Sequence, residues 1–159
     1  MRNSEFIIGI DPGNTHSAIV AIDRSSVVYH WYGENQAFDH ALLTIMDTIP
    51  DGYTRDVVCE MIASYGMPVG REIFDTCVFI GGILRRFPET QRVTRMKVKC
   101  TICHSAKAKD SNIRQALIDA YGPPGTKKAK GGTYGLSGDK WAALAVAKAY
   151  QDGCEIYKS

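Results

Sequence analysis

The run Phe6-Ile7-Ile8-Gly9-Ile10 is apolar at every position, so it keeps no polar face for water. Successive side chains of a strand point to opposite faces. A strand that is apolar on both faces belongs in the middle of a sheet covered on both sides. The rest of the chain must supply the covering layers. Asp11-Pro12-Gly13-Asn14 is a turn signal, followed by a second strand at Ser17 to Ile22 and a third at Val27 to Tyr32. Such short separations point to an antiparallel meander. Phe38, Leu42, Ile45, Met46 and Ile49 recur at helical spacing, and Pro50 lies just beyond them. Asp56 to Cys59 reads as strand four, closed by Glu60.

The second half carries more helix. Gly70 to Phe87 is apolar on most sides, which fits a helix buried all round or one forming a subunit interface. Lys97 to Cys103 reads as a fifth strand. Asp110-Ser111 opens a helix that runs to Tyr121 and stops at Gly122-Pro123, with Asp110 as its cap. Residues 123–132 read as a mobile basic loop. Ser137 caps a last helix to about Tyr150. The order β-β-β-α-β-α-β-α-α describes an α/β fold with a mixed five-stranded sheet, in one domain spanning 1–159. A chain of 159 residues is long enough to bury a core.

No apolar run approaches a membrane span, and Met1 to Glu5 leads into a strand rather than a signal peptide. Five cysteines without disulfide spacing fit a reducing compartment, so a cytoplasmic protein without membrane partners is expected. The net charge of +2 conceals a segregation. Residues 85–130 hold twelve Lys/Arg against three acids, and the remainder holds seven bases against fourteen acids. That asymmetry fits a surface facing a polyanion, or else a solvated basic face.

Asp11, Glu60 and Asp139 stand where apolar patterning would place hydrophobic residues, on three different elements. Taken singly, each has a structural reading. Asp11 fits a turn cap, Glu60 a solvent-facing strand end, and Asp139 a first-turn acid favoured by the helix dipole. Their joint placement is more specific. The ends of adjacent strands, with a helix N-terminus packed across them, bring three carboxylates close together, and such anions repel unless cations neutralise them. Two Mg²⁺ or Mn²⁺ ions would do so and would serve phosphodiester hydrolysis.

Ile8-Gly9-Ile10-Asp11-Pro12-Gly13, Val58-Cys59-Glu60 and Gly138-Asp139-Lys140-Trp141-Ala142-Ala143 together resemble the RuvC-type Holliday junction resolvases. Residues 61–70 and 113–119 are similar to the phage-encoded members in particular. The resemblance implies an RNase H-like fold, with helices on both faces of the sheet. It further implies a homodimer, paired cuts in four-way or branched DNA within a bacterial or phage-infected cell, and no organic cofactor. By position it makes Asp11, Glu60 and Asp139 the catalytic metal ligands, and it places Lys99 where the family keeps a basic residue near the scissile strand. One departure stands out: the family commonly carries another acid at the position of Ala142. Asp110 is a possible fourth acid that replaces it.

A DNA surface is expected from Lys97 and Lys99 on one strand face, with Lys107, Lys109, Arg114 and the Lys127, Lys128 and Lys130 loop. Tyr65 and Met67 fit a wedge into opened DNA, or a merely structural loop. The Cys100–Cys103 pair would point to opposite faces of a strand and has no second pair beside it, which disfavours a zinc site. Two rival readings remain. One is a non-catalytic junction-binding protein of the same fold. The other is an actin-like nucleotide-binding domain, suggested by Asp11 to Thr15 and disfavoured by length.

Overall fold

The computed structural model describes all of residues 1–159. Its five strands are β1 (Phe6–Asp11), β2 (His16–Ile22), β3 (Val27–Glu34), β4 (Arg55–Met61) and β5 (Gln91–Thr94). They form one sheet in the order β3-β2-β1-β4-β5. β1, β2 and β3 are the expected antiparallel meander, while β4 pairs parallel with β1 and β5 parallel with β4. β1 is central, as its two apolar faces require. Five helices follow the strands or lie between them: α1 (Phe38–Thr48), α2 (Arg71–Arg86), α3 (Arg95–Cys103), α4 (Asp110–Tyr121) and α5 (Asp139–Gln151). None is long and apolar enough to cross a membrane.

Strand alternation splits the core in two. Ile8, Ile10, Ile19, Ala21, Val57 and Cys59 pack against α1 and α2 on one face. Ile7, Val20, Ile22, Val58 and Val93 pack against α3, α4 and α5 on the other. Gly9 belongs to the second face. A side chain there would come within 2.8 Å of the Ala147 Cβ and strike the Ala143 carbonyl, so α5 rests directly on the β1 backbone. Asp139 lies one helical turn before Ala143, and Asp11 lies two residues beyond Gly9. The same close approach that seats the helix therefore carries Asp139 toward Asp11.

Four expectations are corrected. The fifth strand is Gln91–Thr94, and Lys97 to Cys103 belongs to helix α3. The short polar/apolar alternation there yields to tertiary packing, since Val98, Ile102 and Cys103 share a helical stripe against the α5 side of the core. Consequently Lys97 and Lys99 do not share a strand face, and Cys100 and Cys103 sit three residues apart on a helix rather than on opposite faces of a strand. Of the two readings of helix α2, only burial all round fails: Thr76, Ile80 and Ile83 face inward, but Phe74 and Val78 are 61% and 76% exposed.

The caps also differ. Gly138, in a positive-φ conformation suited to glycine (φ 51°), precedes α5 in place of Ser137. Lys109 precedes α4, its N–H donating to the Asn112 Oδ1, and Asp110 is the first helical residue. Finally, residues 123–132 form a tight hairpin rather than an open loop. Thr126 and Ala129 exchange backbone hydrogen bonds and the Gly131 N–H donates to the Pro124 carbonyl, leaving Lys127 and Lys128 at the tip.

The chain's last residues fold back on the sheet edge. The Tyr157 N–H donates to the Arg92 carbonyl, the Arg92 guanidinium lies over the Tyr157 ring, and Lys97 pairs with Glu155 at 2.6 Å.

Candidate active site

β1 and β4 run parallel, so their C-terminal ends, carrying Asp11 and Glu60, lie at the same sheet edge. Both acids share strand parity with residues of the α5 face, Asp11 with Ile7 and Gly9, Glu60 with Val58. Asp139, at the start of α5, closes over them. The three acids line one pocket with Asp110, Arg95, Arg114 and Ala142. The pocket is acidic and open to solvent on the Asp139 side, while Glu60 is nearly buried.

Electrostatics set this pocket apart from an ordinary strand terminus. Burial, then the nearby Glu60 and Asp139 carboxylates, push Asp11 up from 3.8 to about 8, against the lowering effect of Arg95. Burial also raises Glu60, with Asp110 adding to the rise and Arg95 and Lys99 opposing it. The shared cause is that carboxylates held away from water and beside one another disfavour ionisation. A divalent cation bound by hard oxygen donors would reverse that cost. The donor set fits such an ion chemically. As the side chains stand, however, no three His, Cys, Asp or Glu residues converge closely enough to enclose one.

Arg95 was not singled out by the sequence. It directly follows β5, which runs parallel to β4, so it emerges at the same edge as Glu60. One guanidinium nitrogen lies 2.5 Å from the Asp110 Oδ1 and the other 3.8 Å from the Glu60 Oε1. A strand placed at residues 91–94 would have exposed the signal.

The basic residues divide. Arg114 lines the pocket with its guanidinium over the Trp141 ring, Lys109 adjoins Asp110, and Lys99 lies near enough to lower Glu60. Lys97 turns away to Glu155. Lys107, Lys127, Lys128 and Lys130 are exposed and do not line the pocket, and Lys130 lies over the Tyr134 ring. Tyr65 and Met67, 57% and 75% exposed, stand on the segment joining β4 to α2, just past Glu60. The turn after Asp11 is tied internally. The Gly13 N–H donates to the Ser17 Oγ, the Ser17 hydroxyl donates to the Asn35 Oδ1, and the Asn35 amide donates to the Gly13 carbonyl. A phosphate cradle of the actin-like kind would need that N–H free.

No protein-family model matches the sequence, and no curated protein matches it. Solved structures do match the fold. Thermus thermophilus RuvC in complex with Holliday junction substrate superposes with a TM-score of 0.67 at 13% identity, over 92% of this chain and 93% of that one. A second Thermus thermophilus RuvC structure gives 0.62 at the same identity and coverage. The chain has the RuvC, RNase H-like fold. Its mixed five-stranded sheet with helices on both faces is the architecture expected from the sequence.

Proposed function

We propose that this protein is a metal-dependent, structure-selective DNA endonuclease of the Holliday junction resolvase type, similar to phage-encoded members and acting in the cytoplasm. The observation that carries the reading is the meeting of Asp11, Glu60 and Asp139 in one pocket, on a fold shared with RuvC. The substrate would be four-way or branched DNA, cut as a symmetric pair by a homodimer.

In hydrolysis, a water oxygen attacks phosphorus as the P–O3′ bond breaks, leaving a 5′ phosphate and a protonated 3′ oxygen. Mg²⁺ or Mn²⁺, when bound, would lower the pKa of water and offset charge on the phosphate. Asp11, Glu60 and Asp139 would hold the ion through their oxygens, and Asp11 would shed its proton on binding it. Lys99, Lys109 and Arg114 would take backbone phosphates beside the pocket, with the Lys127–Lys130 hairpin and Lys107 engaging more distant ones. Tyr65 and Met67 would reach into the opened junction. The exposed α2 face around Phe74 and Val78 would form the dimer contact, as a symmetric substrate needs two sites related by a two-fold axis.

A second reading, junction binding without cleavage, is favoured by one observation: Ala142 lines the pocket and offers no oxygen. Incubation with a labelled four-way junction separates the two. The nuclease reading expects paired, nicked-duplex products that require Mg²⁺ or Mn²⁺. A junction that is bound and left intact under both metals supports the binding-only reading. In that case Ala142→Asp should restore cutting if the missing carboxylate is the cause.

A further inference from the structure

Of the two guanidiniums that line the acidic pocket, one stands where it conflicts with a pair of metal ions. Arg95 bridges Glu60 and Asp110, at 3.8 and 2.5 Å. Glu60 is the most enclosed of the pocket's acids, with a side chain 12% exposed, whereas that of Asp110 is 80% exposed. An ion pair inside such a pocket is harder for solvent to screen than one on the surface. A guanidinium keeps its charge at any pH a folded protein meets. Paired catalytic ions sit about 3.5–4 Å apart, so a second ion on Glu60 would lie against that guanidinium and be repelled. The position that would supply further oxygen, residue 142, is alanine and lines the same pocket. One guanidinium in and one carboxylate out both move the site toward fewer divalent ions.

We propose that Arg95 occupies the place of a second cation, so that the site takes a single divalent ion, and that Asp110 enters the site as the anchor of Arg95 rather than as a metal ligand. This rests on the nuclease reading for the identity of the site. The Arg95 side chain remains 43% exposed on the pocket wall, and its forked N–H donors match two oxygens of a phosphodiester. The charge count agrees. Four carboxylates line the pocket beside two guanidiniums, Arg95 and Arg114, so one divalent ion balances the charge whereas two would overfill it.

The test counts Mn²⁺ on the intact protein without DNA, by calorimetry and by electron paramagnetic resonance. Wild type should take one ion per chain and give the spectrum of an isolated ion. Arg95→Gln, checked for folding by circular dichroism, should take two and show spin coupling between them. Arg95→Lys should remain at one. Asp110→Asn should also remain at one, with affinity changed less than about threefold, since it keeps the guanidinium and removes only its anchor. Two ions on the wild-type protein overturn the assignment, as does a folded Arg95→Gln that still takes one. A tenfold or greater loss of affinity in Asp110→Asn makes that residue a ligand and overturns its anchoring role. If two ions bind and the junction is still cut, the Arg95 assignment fails alone; if no ion binds, the nuclease reading fails with it.

Discussion

The two faces of the sheet are covered by different means. Helix α5 lies on β1 with nothing but a glycine beneath Ala143 and Ala147, and nearly all its residues from Ala143 to Gln151 are buried. Helix α2 covers the other face with Thr76, Ile80 and Ile83, and turns Phe74 and Val78 outward. Backbone contact leaves a helix little freedom to shift, because packed interiors have no slack. The acids occur where the seating is tightest, and the apolar surplus occurs where it is loosest. Position on the α5 face therefore serves chemistry, while the α2 face has area left for a partner.

Substitutions should separate the two faces. The largest effect belongs to the acids: Asp11→Asn, Glu60→Gln and Asp139→Asn should each reduce junction cleavage by at least about a thousandfold, as loss of an ion ligand removes several kcal/mol of transition-state stabilisation. Junction affinity in a gel-shift assay should stay near wild type. Retained cleavage in any of the three would remove that residue from the set. Next comes Gly9→Ala, whose methyl would press on the Ala143 backbone and the Ala147 Cβ. Overpacking at such a contact costs about 1–3 kcal/mol, so urea unfolding should shift by that amount, with cleavage falling as Asp139 is displaced. An unchanged midpoint would mean that α5 is free to move.

The third effect is pH-dependent. Asp11 ionises near 3.8 when unfolded and at about 8 in the folded protein, so between those values the folded chain holds the extra proton. Stability of the metal-free protein should be greatest below about pH 4 as far as this group is concerned, decline as pH rises toward 8, and level off above it. Glu60 is raised as well and acts in the same sense. Asp11→Asn should remove much of that decline and melt about 5 °C above wild type at pH 8 without metal. Identical melting curves for the two proteins from pH 5 to 8 would contradict it. The smallest effect on folding lies on the α2 face. Phe74→Lys with Val78→Asp should change stability by less than about 0.5 kcal/mol per site, yet convert a dimer to a monomer by light scattering. A monomeric wild-type protein would end the dimer proposal.

Much of this architecture was legible because the deciding residues are local. The runs at Phe6–Ile10 and Val57–Cys59 are too apolar for anything but covered strands, and each run is followed directly by an acid. The segment 91–103 was not legible in the same way. A four-residue edge strand carries too few side chains to show a period, and the Lys-Val-Lys alternation after it imitates one. That single error hid Arg95, because its relation to Glu60 follows from the parallel pairing of β4 and β5 and from nothing in the neighbouring sequence. Asp110 was noticed, but its partner was not.

The fold-back of the last residues has a consequence for self-association. β5 is the outermost strand beside β4, and its free side would offer backbone donors and acceptors to any other extended chain. Tyr157 bonds to Arg92 from that side, and the Lys97–Glu155 pair and the Arg92–Tyr157 stack hold the segment in place. The tail thus adds to the protection that the shortness of β5 already gives, leaving fewer backbone groups at that edge open to another strand.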